Sequence, residues 1–94
     1  MLFHATQSHD YSTCHAHDEE RKALMMKSMQ SADSIGIKIV GAYADPPGHT
    51  LYCVLEADSM EQIVQFFDPI IELGNVDIHP VLSLQDALDQ LKKD

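Results

Sequence analysis

The sequence predicts an α+β domain of ferredoxin-like type: βαββαβ, a four-stranded antiparallel sheet in the order 4-1-3-2, and one further helix at the C-terminus. Three observations lead there. The chain has 94 residues, room for a single core and hence one domain over residues 1–94. β-branched and alternating segments exchange with segments of helical period along it. The run Asp45-Pro46-Pro47-Gly48 stands between two strand-like segments and makes them a tight hairpin, while the other two connections are long enough for helical crossovers.

Residues 1–9, with Leu2, Phe3, His4, Ala5 and Thr6, read as the first strand, which ends where Ser8, His9 and Asp10 bring turn chemistry. Residues 11–17 carry no period and form a loop. Asp18 caps a helix with Glu19 and Glu20 in its first turn, and Met25, Met29 and Ala32 carry helical spacing as far as Asp33. Gly36 stops it. Residues 37–43 and 50–56 are the hairpin strands, and in the second Leu51, Cys53 and Leu55 face one way while Tyr52, Val54 and Glu56 face the other. Ser59 and Gln62 form a capping box for a second helix, which Pro69 kinks or ends and Gly74 closes. Residues 76–82 make the fourth strand. Ser83 caps a last helix expected to turn Leu84, Ala87, Leu88 and Leu91 inward, with Lys92 and Lys93 at its negative end.

Both crossover helices of this fold cover one face of the sheet. The other face still holds Val40, Ala42, Tyr52, Val54 and Val81, too apolar for water, so it is covered either by a second copy in a homodimer with sheets packed face to face, the preferred reading, or by the C-terminal helix of the same chain. In the dimer the space between such sheets can become a small-molecule pocket.

Charge narrows the partners. Six Lys and Arg against 15 Asp and Glu leave a net charge of −9, and the basic residues form no run, which argues against nucleic acid and against anionic membranes. No apolar stretch is long enough to span a bilayer and no leader precedes the first strand, so the chain reads as cytoplasmic. The two cysteines, Cys14 in a polar segment and Cys53 in an apolar one, do not suggest a stapled scaffold.

The chemistry-bearing feature is histidine. Of six, His4, His9, His15 and His17 fall in the first 17 residues with Cys14 among them. The pattern H-x4-C-H-x-H fits no established motif, but the topology brings the first loop and the hairpin to one end of the sheet, so His9, Cys14, His15, His17 and His49 are candidate ligands. A Cys and His set selects copper or zinc over magnesium or calcium. Met25, Met26 and Met29 have core spacing and are not taken as thioether ligands. A second candidate group lies on the sheet, where a register near 4 opposite 79 makes His4 and His79 cross-strand neighbours facing the inter-sheet cavity with Tyr52 and Glu56. The four glycines are isolated, so no phosphate loop is present, and no oxyanion donor or orienting group accompanies Cys14 as a nucleophile.

The segments GAYADPPGHTLYCVLEADS (41–59), FFDPIIELG (66–74), HPVLSLQDAL (79–88) and MLFHATQSHDYSTC (1–14) resemble a family of small uncharacterised prokaryotic domains within the dimeric α+β barrel superfamily. Positions matching the family pattern are His9, Cys14 and His49; the family has a more generic residue where this chain has His79, and often a second histidine at Gln7. The resemblance implies the barrel-type dimer but no settled activity, since the superfamily includes cofactor-independent monooxygenases, isomerases, haem-degrading enzymes and plain dimers. Two functions are therefore carried forward: a homodimeric copper- or zinc-binding protein, and a monooxygenase- or isomerase-like enzyme or small-molecule binder using His4, Tyr52, Glu56 and His79.

Overall fold

The computed structural model describes residues 1–14 and 17–92. Its elements run β1 (Leu2–Ser8), α1 (Glu19–Gln30), α2 (Ala32–Ile35), β2 (Lys38–Asp45), β3 (Thr50–Glu56), α3 (Met60–Phe67), a 3₁₀ turn (Asp68–Ile70), β4 (Asn75–Val81) and α4 (Leu84–Lys92). The strands form one antiparallel sheet in the order β2-β3-β1-β4, the ferredoxin-like arrangement expected from the sequence.

Local chemistry sets the boundaries. Asp18 accepts a hydrogen bond from the Arg21 amide at 2.9 Å and starts α1. The helical run to Gly36 is broken at Ser31, which closes α1 and opens α2. Gly36 ends it at φ 94°, a left-handed conformation that favours glycine. In the Ser59–Gln62 capping box each residue satisfies the other's backbone amide, and Gln62 Nε2 also donates to Ile35 O at 3.0 Å, tying the end of α2 to the start of α3. Pro69 falls in the 3₁₀ turn, where α-helical hydrogen bonding has already stopped.

The core lies between the sheet and α1–α3. Phe3 and Ala5 of β1 and Cys53 and Leu55 of β3 meet Ile63, Phe66, Phe67 and Ile70. Ser28 is the buried residue of α1, and its hydroxyl donates to Phe66 O at 2.5 Å, so the polar group that enters the core is satisfied and fastens α1 to α3.

Two expectations are corrected. A bulge between Ile39 and Gly41 shifts the parity of β2, so Ala42 pairs with Cys53 on the helix-covered face and Tyr43 pairs with Tyr52 on the open one. α4 does not turn its leucines inward: none of its residues is buried, and Leu84 and Leu91 are 76% and 69% exposed. No Cα of α4 lies within 8 Å of another strand or helix. The radius of gyration, 14.7 Å, exceeds the roughly 12 Å of a compact chain this long, as a projecting α4 requires. Lys93 lies outside the described residues.

Candidate metal centre

Three short segments meet at the end of the sheet where β1 stops and β3 and β4 begin. The ladder closes with Ser8 opposite Thr50 on one side and Asn75 on the other. His9 extends it by one bond, its amide donating to His49 O at 3.1 Å. In β1, Phe3, Ala5 and Gln7 are buried on the helix-covered side, and His9 continues that alternation.

After His9 the chain turns back on an Asp10 hinge. One Asp10 carboxylate oxygen accepts from the Ser12 hydroxyl, from the Ser12 amide at 2.8 Å and from the Thr13 amide at 3.2 Å. The Ser12 hydroxyl and then its amide hold this carboxyl below the ordinary aspartate range. With the folded value depressed, the loop's support from Asp10 is present at neutral pH and disappears only as acid protonates the carboxylate below that range. The hinge returns Cys14 over the sheet end, where Arg21 Nη1 of α1 donates to Cys14 O at 3.3 Å.

The third segment is the β2–β3 hairpin. Its turn is closed by the His49 amide donating to Pro46 O at 3.1 Å and the Gly48 amide donating to an Asp45 carboxylate oxygen at 3.2 Å. His49 sits at φ 52°, in the left-handed region that non-glycine residues rarely occupy. His49→Gly should relieve about 1–2 kcal/mol of backbone cost against about 0.5–1 kcal/mol of added unfolded-state entropy. A Tm unchanged or raised by a few degrees in thermal denaturation is expected.

These segments bring one donor atom from each of His9, Cys14 and His49 within 4.8 Å of one another, all three residues being half-buried. The His9 and His49 rings meet edge to face with centroids 5.4 Å apart. His49 Nδ1 is buried and makes no hydrogen bond. Zinc or copper at bond lengths of about 2.0–2.3 Å sets its donors about 3.4–3.7 Å apart, so closing the site asks for movements of the size side-chain rotation supplies. One thiol and two imidazoles make a three-ligand N₂S set, suited to trigonal copper(I) or to zinc with one exogenous ligand. A shallow cleft of about 360 Å³, bordered by His9, Asp10, Thr13, Glu72 and Gly74, opens beside it.

Gly74 permits the close crossing of this end. A Cβ there would land on the Ser8 carbonyl oxygen and 2.9 Å from His9 Cβ. Gly74→Ala should cost about 1–3 kcal/mol in thermal denaturation and weaken metal affinity in the same protein, because relief of the clash moves His9.

The other candidates fall elsewhere. His17 is exposed and outside the cluster, and His15 lies outside the described residues. His4 stands directly opposite His79 and also opposite Val54, with Glu56 and Tyr52 flanking Val54 on β3, so His4, Tyr52, Glu56 and His79 share the open face, away from the sheet-end cluster. Asn75 and Asp77 take the open face too, opposite Ser8 and Thr6. Cys53 is buried in the core, where desolvation pushes its thiol up and leaves it a small apolar group. A neighbour not placed in the site by the residue reading is Gln7, noted only as the position where the resembled family often has a second histidine; its Oε1 lies 3.2 Å from His9 Nδ1. The available signal was a glutamine at an apolar parity position two residues before a candidate ligand.

Fold and site together define a small ferredoxin-like domain with a His₂Cys cluster at one end of its sheet. The whole chain, residues 1–94, matches the profile of a domain of unknown function, DUF3303, and the protein belongs to that family. No curated protein matches it. Among solved structures it is similar to SCO4226 from Streptomyces coelicolor A3(2), with 21% identity and a TM-score of 0.60 over 88% of this chain and 99% of that one. It is also similar to a Deinococcus radiodurans R1 protein described as a "putative transposase", with 16% identity and a TM-score of 0.56 over 99% of this chain and 88% of that one. At these identities the likeness is one of fold.

Proposed function

We propose that this protein binds a transition metal ion, copper or zinc, through His9, Cys14 and His49, as a cytoplasmic homodimer. The observation that carries this reading is the convergence of one thiol and two imidazoles from three separate segments, with a buried, unpartnered His49 Nδ1 among them. A buried polar atom without a partner is destabilising unless something binds it. The net charge of −9 draws cations to the surface, and among the described residues no helix is long and apolar enough to cross a membrane.

Support for a second copy as the partner comes from the open sheet face and α4. Leu2, Val54, Tyr43 and Tyr52 lie on the open face, and no residue of α4 is buried within its own chain. Four strands about 4.8 Å apart and seven or eight residues long present about 450 Å², and a nine-residue helix adds about 130 Å². Two copies thus bury about 1,200 Å² in all, the lower end of a stable interface.

The test is elemental analysis of reduced protein loaded with copper or zinc and freed of excess. About one metal per chain is expected, retained by His17→Ala and lost when His9, Cys14 and His49 are all replaced by alanine. Retention by the triple variant would place the metal elsewhere. A protein that holds no metal would favour the second reading, a barrel enzyme or small-molecule binder, which rests on the facing pair His4 and His79.

A further inference from the structure

The alternation of β1 calls for an apolar side chain at position 7, beneath the helices with Phe3 and Ala5. The chain puts a glutamine there, 1% exposed. Its Oε1 faces His9 Nδ1 at 3.2 Å, while its Nε2 is buried without a partner. An apolar residue would fill the same space and leave no orphaned donor, so burial alone does not account for the amide, and the side-chain hydrogen bond it makes is to His9.

We propose that Gln7 is a positioning residue for the metal site: its carbonyl oxygen accepts the proton on His9 Nδ1 and so fixes the imidazole in the tautomer whose Nε2 carries the lone pair. This rests on His9 being a metal ligand. An imidazole binds metal through the nitrogen that carries no proton, and an acceptor held against the other nitrogen chooses which one that is. Gln7 lies on β1, a central strand of the sheet, and is buried, so its backbone is held in place and its amide oxygen is presented to His9. The reverse orientation, with the amide NH₂ donating to Nδ1, would occupy the Nδ1 lone pair and put the proton on Nε2, leaving neither ring nitrogen free to take a metal.

Two measurements test it. Long-range ¹H–¹⁵N correlation of the imidazole rings in metal-free protein should find His9 protonated on Nδ1, and Gln7→Leu should lose that preference. Zinc or copper titration should then show Gln7→Leu binding about 10–100-fold more weakly than the parent, with Gln7→Glu, which keeps the acceptor, restoring the affinity. His9 protonated on Nε2 in the metal-free parent would overturn the proposal, whatever the variants do. So would a folded Gln7→Leu that matches the parent's affinity within twofold. A parent that binds no metal would sink the metal reading, while the tautomer measurement would still decide whether Gln7 orients His9.

Discussion

Cys14→Ser is expected to lower the affinity for zinc or copper(I) by about a hundredfold or more while leaving the fold intact. Structural zinc sites with four ligands bind with about 10–16 kcal/mol, so one ligand accounts for roughly 3 kcal/mol. At about 1.4 kcal/mol per factor of ten, that is two orders of magnitude. Serine keeps the size of the side chain but replaces a soft thiolate by a hydroxyl that stays protonated at neutral pH, which is a poor ligand for both metals. Cys14 lies on a loop outside the core, and the Arg21 bond goes to its backbone carbonyl, so the substitution leaves the packing and that anchor in place. Competition against a chelator of known affinity gives the fold-change, and a Tm near that of the parent separates ligand loss from unfolding.

Val54→Lys is expected to convert the proposed homodimer to monomer. Val54 lies centrally on the open face, paired with His4 on one side and Gly41 on the other. In a face-to-face two-fold pairing every substitution enters the interface twice. Loss of one central anchor costs about 2 kcal/mol, and burial of an unpaired ammonium adds to that, so the pair of changes should weaken association by a factor of about a thousand. Light scattering behind size exclusion should give the mass of two chains for the parent and one for the variant. A parent that runs as a monomer at tens of micromolar would leave the open face and α4 to a different partner.

The order of elements was legible because its signals are local. The hairpin breakers, the Ser59–Gln62 box, Asp18 before two glutamates and Gly36 after a helical run all act within one turn of chain. Strand order followed from connection lengths. The bulge at Val40 was not legible, since a single extra residue leaves no compositional mark yet moves Ala42 and Tyr43 to opposite faces. α4 was misread for a related reason: its leucine spacing states that one face wants cover but says nothing of where the cover comes from.

The site divides in the same way. Its residue types were in the sequence by themselves: a thiol and a cluster of imidazoles on an acidic chain, near a turn that topology carries to the same end. Which of them converge was decided by tertiary structure. His49 joins His9 because the β1–β3 register sets Ser8 opposite Thr50 and carries one bond further, and Cys14 joins them because the Asp10 hinge folds the loop back. His17, three residues from Cys14, stays in solvent. Sequence determines which donors exist and roughly where along the sheet they fall. Only the paired backbone fixes donor separations within a few ångströms, the scale on which coordination is made or lost.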